Sequence, residues 1–255
     1  MRQFSEFTTM FSLSELPSPG DVVIVTDQLL SPADFVIHKT ISSHFKDVGK
    51  AKCLFLSVSE SLARLKAIAA KSNVNLAQHL QSGSFAFVDV GSYIEPPIDR
   101  AHSSHQTLLR PLFDLTSERL SEWSDEGATP LVVLDNISAL EWIGFPVSDI
   151  LRFLRALSAL CRKSNVALLI RHHVATPAEP DDITRLLYQL GTYHLEVLPL
   201  STGRSGSVSG QIALHPGPGI SQPVQRPIPR SSAVQYRLTD TSVVFFERGT
   251  GSTVL

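Results

Sequence analysis

The sequence predicts an α/β protein: a predominantly parallel sheet flanked by helices on both faces, with antiparallel strands at the C-terminal end. Three observations predict it. Short aliphatic runs bounded by turn residues recur along the chain, as strands buried on both faces require. Segments with a 3.6-residue apolar period separate these runs, the alternation of a parallel sheet. Near the end, Val234 to Leu238 and Ser242 to Phe246 alternate apolar and polar residues around Thr239-Asp240-Thr241, as a hairpin does.

The clearest run is Leu131 to Leu134, held between Pro130 and Asp135. It reads as a mid-sheet strand whose carboxyl end surfaces at Asp135. Open α/β sheets collect ligands beyond that end of their strands, and many nucleotide-binding folds hold a metal ion there.

Residues 1–19 read as an irregular arm, with Phe4, Phe7 and Phe11 tucked against the body and Pro17 and Pro19 ending it; residues 20–255 read as one domain. The first strand is Val22 to Thr26. Ser31-Pro32-Ala33-Asp34 starts a helix, with serine as the cap, proline in the first turn and an acid at the positive end of the dipole. Ile37, Ile41, Phe45 and Val48 give that helix an apolar face, and Gly49 stops it before the second strand, Cys53 to Val58. A helix opening at Ser59-Glu60, a short turn from Leu76 to Leu80 and a third strand, Phe85 to Val90, follow. Gly91 in Val88-Asp89-Val90-Gly91-Ser92 is a turn residue; a methyltransferase loop needs another glycine and normally follows the first strand.

Ser104 caps a helix carrying Leu108, Leu112, Leu120 and Trp123 inward. After the central strand, Pro146 begins a helix with Ile150, Leu154, Leu157 and Cys161 inside and Arg152, Arg155 and Arg162 outside. Val166 to Ile170 is the fifth strand. Arg171 to Pro180 is then a proline-punctuated loop, long enough to suspect of function. Asp181 and Asp182 open another helix, and Tyr193 to Leu198 forms a strand. From 201 to 232 the chain is rich in Ser, Gly and Pro, with only Gln211 to Leu214 strand-like, so this insertion reads as flexible.

A chain of 255 residues with 43% hydrophobic content buries a large core, and its net charge of −2 excludes a wholly basic nucleic-acid binder. Residues 201–255 are locally basic, with five arginines against Asp240 and Glu247. Cys53 and Cys161 read as buried thiols in a reducing compartment. No apolar run approaches the ~18 residues of a membrane span, and the N-terminal residues lack a signal peptide's hydrophobic core, so a soluble, unexported protein is expected. None of the nine histidines forms an HExxH or pairs with a CxxC, so no metal is expected.

Nucleotide chemistry needs a glycine-rich cradle after the first strand. Here that strand leads into Asp27-Gln28-Leu29-Leu30-Ser31-Pro32, without a glycine to turn backbone N–H groups toward phosphate. Lys39-Thr40 imitates the end of a P-loop but lies roughly 12 Å inside the helix at 1.5 Å per residue. A serine hydrolase is opposed by the lack of a G-x-S-x-G elbow.

Leu131 to Leu140 resembles the Walker B strand and following turn of RecA-type ATPases, and Cys53 to Glu60 resembles the strand before their water-activating glutamate. Val25-Thr26-Asp27 with Phe35 to Lys39, the Phe85 to Asp89 strand, and Tyr236 to Phe246 followed by Gly249 and Val254-Leu255 resemble the Elongator complex protein 6 family, a likeness spanning nearly the full chain. The resemblance implies a RecA-like fold without a working P-loop. It implies assembly with Elongator proteins 4 and 5, two copies of each, in a hexameric ring accessory to the catalytic Elongator subcomplex, which modifies wobble uridine in tRNA. It also implies no catalytic residue and no cofactor here, tRNA as a partner, no membrane, and a cytoplasmic location with the nucleus second.

On this footing Asp135 and Glu60 are vestigial nucleotide-site positions. The plainer readings are a carboxylate capping the turn at Ser138 and an acid favoured by a helix dipole. Arg171, His172 and His173 are the candidate nucleic-acid-binding residues, in a loop matching the pore-facing position of RecA-type rings; the plainer reading is a solvated connector. Two other functions stay open: a scaffold without RNA contact, and a RecA-like nucleotide hydrolase.

Overall fold

The computed structural model describes residues 16–94, 108–125, 127–200, 208–221, 223–239 and 242–246. Phe4, Phe7 and Phe11, the expected cap Ser104, Gly249 and Val254-Leu255 lie outside the described residues. One sheet of nine strands organises the rest. In chain order these are β1 (Val22–Asp27), β2 (Ala51–Ser57), β3 (Phe85–Asp89), β4 (Thr129–Asp135), β5 (Ala167–His173), β6 (Tyr193–Leu198), β7 (Gly210–Pro216), β8 (Val234–Leu238) and β9 (Val243–Phe246). Across the sheet they run β3-β2-β4-β5-β1-β6-β7-β8-β9. Pairing is parallel from β3 to β6 and antiparallel from β6 onward.

Strand alternation splits the core in two. Val23 and Val25 of β1 and Val133 of β4 meet Ile37 and Ile41 of α1 (Asp34–Asp47) and Leu65 of α2 (Leu62–Lys71) on one face, with Leu76 of α3 (Leu76–Gln81). On the other face Ile24, Leu56 and Leu134 meet Leu112 and Leu120 of α5, Leu154 of α7 and Leu187 of α8. These helices are α5 (Arg110–Asp125), α7 (Val147–Lys163) and α8 (Asp182–Leu190); the short α4 (Val90–Tyr93) and α6 (Ser138–Trp142) follow β3 and β4 directly. Among the described residues no helix is long and apolar enough to cross a membrane.

Several boundaries differ from the sequence reading. The first helix starts at Asp34 and has no side-chain cap. Ser31 turns away to bond the Leu198 carbonyl at 3.1 Å and the Tyr236 hydroxyl at 2.8 Å, so tertiary partners outcompete the local one. The second helix is capped by Ser61, whose Oγ accepts the Arg64 N–H, and Glu60 therefore precedes the helix. Leu76 to Leu80 forms a helix rather than a turn because Asn75 caps it through the Gln78 N–H.

The Ser/Gly/Pro-rich insertion, read as flexible, is tied down in its described residues. Leu214 and Ile228 exchange backbone hydrogen bonds of 2.9 and 2.8 Å, and Gly217 N–H donates to the Thr192 carbonyl at 2.7 Å. The Tyr193 hydroxyl accepts the N–H groups of Val224 and Gln225 at 3.0 and 3.2 Å. These contacts are made by backbone groups, which every residue carries, so composition gives no sign of them.

Candidate functional site

The carboxyl ends of β4, β5 and β1 lie side by side, and β5 carries the candidate residues between the other two. β5 runs on to His173, past the Ile170 end read from the sequence, pairing Arg171 with Val25, His172 with Thr26 and His173 with Asp27. Arg171, His172 and His173 are thus strand residues, not loop residues. Pleating sends Arg171 toward α1 and His172 toward α8, the opposite faces expected of adjacent strand positions.

Arg171 is committed inside the protein. Its Nη1 donates to Asp34 Oδ1 at 2.5 Å, and its Nε stands 2.8 Å from Asp135 Oδ1. The second contact is a close charge pair, and neither of its two atoms makes a hydrogen bond. The Arg171 side chain is 11% exposed, that of Asp135 5% and that of Asp34 32%. Burial raises the Asp135 carboxyl, Arg171 pulls it back, and Asp34, Glu60 and Asp27 push it up again, to about 6. Burial also raises Asp34, but there Arg171 prevails and holds it below the usual carboxylate range. The acids outweigh burial at Arg171 and raise its pKa.

Asp135 therefore does not cap the turn at Ser138; Asn136 Oδ1 accepts that N–H at 3.1 Å. A guanidinium faces the acid where related nucleotide sites would place a cation. The turn after β1 is closed as well. Ser31 N–H donates to the Gln28 carbonyl at 2.8 Å, and Asp27 Oδ2 accepts the Ala33 N–H at 2.7 Å. A buried carboxylate thus takes a backbone donor at the start of the first helix, the position at which a phosphate binds in P-loop proteins. A cavity of about 130 Å³ beside this turn, lined by Thr26, Asp27, Tyr188, Glu196 and Arg230 among others, is well below the 300–1,000 Å³ of ordinary ligand pockets.

His172 is 1% exposed and bridges two elements. Its Nδ1 meets Ser138 Oγ at 2.8 Å and its Nε2 meets Thr184 Oγ1 at 2.8 Å. Ser138 Oγ also accepts the His173 N–H at 2.8 Å and reaches the His173 carbonyl at 3.0 Å. If the serine's single proton goes to that carbonyl, Nδ1 of His172 donates and Nε2 accepts from Thr184. His173, 19% exposed, places Nδ1 3.0 Å from Asp27 Oδ1. Glu60 pairs with Arg64 at 2.8 Å, and its Oε1 accepts the Ser61 N–H at 2.8 Å.

Burial drives the His172 pKa down to about 4, with Asp181 opposing. Its folded value lies below the unfolded one of 6.5, so its contribution to stability is complete above pH 6.5 and lost as pH falls toward 4. Asp135 has the opposite sign: its raised value makes the folded protein gain stability as pH falls through about 6 toward 3.8. Asp135→Asn removes that opposing gain. Between pH 6 and 4 the variant should lose stability more steeply than the native chain, by about 1.4 kcal/mol per pH unit for one proton. Urea midpoints across that range check it, and equal slopes would refute it.

Sequence reasoning singled out Asp135, Arg171, His172 and His173 but not the pairings of Arg171 with Asp34, of His172 with Ser138 and Thr184, and of His173 with Asp27. Only the acid after Pro32 gave a signal, and it was read as a dipole effect.

The family model described as Elongation complex protein 6 matches residues 4–240. Elongator complex protein 6 of Xenopus laevis is 26% identical over 237 residues, covering 87% of this chain and 88% of that protein. The human protein of that name is 26% identical over 242 residues, with the same coverage, and the rat protein 24% identical over 273 residues, covering 99% and 100%. A KaiC-like protein of Pyrococcus horikoshii superposes with a TM-score of 0.65 at 10% identity, covering 89% of this chain and 90% of that one. An uncharacterised protein of the same organism, solved with an unknown peptide, gives 0.63 at 14% identity over 91% and 94%. These two likenesses show the fold, which is RecA-like.

Proposed function

We propose a function from the premise that this chain belongs to the Elongation complex protein 6 family: it is a non-catalytic, RecA-like subunit of Elongator. In this reading it joins Elongator proteins 4 and 5, two copies of each, in a hexameric ring. The ring serves the catalytic subcomplex in modifying wobble uridine in tRNA, in the cytoplasm and secondarily the nucleus. One observation carries the non-catalytic part. Asp27 occupies the N–H group at the start of α1, and Arg171 sits against Asp135, so phosphate meets negative charge and a metal ion meets positive charge.

The chain supports tRNA binding by completing the ring. Arg171 and His172 act as interior struts, since a phosphate ligand must reach solvent and both are nearly enclosed. That favours a scaffolding role over direct RNA contact through these residues.

Co-expression with proteins 4 and 5 should give one hexamer by sedimentation, and calorimetry of the isolated chain should show no Mg-ATP binding. A monodisperse monomer indifferent to both partners would sink the assembly. Micromolar Mg-ATP affinity abolished by Asp135→Ala would sink the non-catalytic reading. Comparing tRNA binding by proteins 4 and 5 with and without this chain measures its support of RNA binding.

A further inference from the structure

We infer that Thr176, in the loop from β5 to α8, is a phosphorylation site for a proline-directed kinase, and that Arg230 is the cation that receives its phosphate. The inference is independent of the assembly proposed above. Four serine or threonine residues of the chain precede proline: Ser18, Ser31, Thr129 and Thr176. A kinase cleft must reach the hydroxyl and the backbone around it, and the fold stands against three of them. Ser31 is 1% exposed, with its hydroxyl bonded to Leu198 and Tyr236. Thr129 is a rung of β4, paired with Ala51 of β2. Ser18 closes a turn in which its carbonyl accepts the Asp21 N–H and its N–H donates to the Asp21 carboxylate, each at 3.0 Å, so a phosphate there would meet an acid. Thr176 is accessible. Residues 175–182 are exposed without a break, no described residue bonds its hydroxyl, and one hydrogen bond, from the Glu179 N–H to its carbonyl at 3.1 Å, has to open for the kinase.

The receiving cation is already set in place. Pro177, the next residue, and Arg230 line the same small cavity, together with Tyr188 and Glu196. Arg230 opens the short turn Arg230–Ser232 before β8, and its Nε and Nη2 each donate to one carboxyl oxygen of Glu196. Burial raises that carboxyl, but hydrogen bonds from His215 and Arg230 prevail and hold it at about 2, so the clasp stays charged. A guanidinium offers five N–H donors, and these two bonds leave Nη1 unused on a side chain 67% exposed. One acid fixes the group in direction while its remaining donors stay open to another, the geometry in which arginine takes a phosphate.

The step moves the γ-phosphoryl group of ATP. A bond forms between Thr176 Oγ1 and the γ-phosphorus, the bond from that phosphorus to the β,γ-bridging oxygen breaks, ADP leaves, and the hydroxyl proton passes to the kinase's catalytic aspartate. The product carries close to two negative charges at neutral pH. Asp27 and Glu196 in the cavity wall and Glu179, Asp181 and Asp182 in the loop repel it, which leaves Arg230 as the cation it can hold. The loop is anchored at one end by the Val174 N–H on the Asp27 carbonyl and at the other by Asp181, which caps α8. Phosphate on Arg230 would tie its middle to the turn before β8.

The full-length chain, incubated with Mg-ATP and a purified proline-directed serine/threonine kinase, should gain one phosphate, mapped to Thr176 by mass spectrometry and absent from Thr176→Val. Phosphate on Ser18 alone, or none, overturns the site. A phosphorus NMR titration then compares the folded phosphoprotein with the same chain in urea. Beside Arg230 the second phosphate pKa should fall about one unit below the value of about 6 expected in urea. The surrounding acids act in the opposite sense, so the drop is diagnostic of the cation. Arg230→Gln, shown by thermal melt to be folded, should bring the value back to about 6 or above. A folded value equal to or above that in urea overturns Arg230 as the receiving group, and this comparison needs no variant.

Discussion

Arg171→Ala will destabilise the fold by about 3–5 kcal/mol, the cost of removing one member of a buried ion pair. The loss arises chiefly at Asp135, whose side chain is 5% exposed and stands in the field of Asp34, Asp27 and Glu60. Asp34, at 32% exposure, regains water and contributes less. Without the guanidinium, Asp135 must take a proton or remain an uncompensated charge. Combining Arg171→Met with Asp135→Leu should therefore restore much of the loss, since apolar pairs of matching volume replace buried ion pairs at little cost. Urea unfolding at neutral pH reads both effects. A single variant within about 1 kcal/mol of the native chain would place the pair among screened surface bridges.

Gly217→Ala is the second large effect, at about 3 kcal/mol, the upper range for overpacking. A methyl group there would stand 1.8 Å from the Gly191 carbonyl oxygen and 3.0 Å from that of Thr192, backbone that cannot rotate aside. The strand end would have to separate from Thr192, breaking the hydrogen bond from Gly217 N–H. Gly219→Ala is the matched control two residues away, where an added methyl meets nothing within 4 Å. Protease cleavage between β7 and β8 should rise in the first variant alone; equal cleavage would mean the insertion is not held through Gly217.

Much of the fold was legible because the parallel strands are buried on both faces and read as unbroken aliphatic runs. Leu131 to Leu134 needs no partner to be recognised. β5 was read short because its last residues, Arg171, His172 and His173, are polar, and polarity at a strand end looks like a loop until the groups that satisfy it are known. Asp34 meets Arg171 across 137 residues and Ser138 meets His172 across 34, separations that no local period encodes. Ser31 failed as a cap for the same reason: Tyr236, 205 residues away, claims its hydroxyl. The missing phosphate cradle was legible as missing glycine. What fills its place was not, since Asp27 reads the same whether it faces water or the Ala33 N–H.

That filled donor bears on how the chain can change over time. A protein that lost phosphate binding through one missing glycine could regain it through one substitution. Here nucleotide binding is opposed in several places at once, because Asp27 and Arg171 each have a structural duty. Restoring glycine to the turn leaves the carboxylate on its N–H, removing the carboxylate strips His173 and Ala33 of their partner, and freeing Asp135 means breaking its buried pair. Every single step toward nucleotide chemistry is a step down in stability.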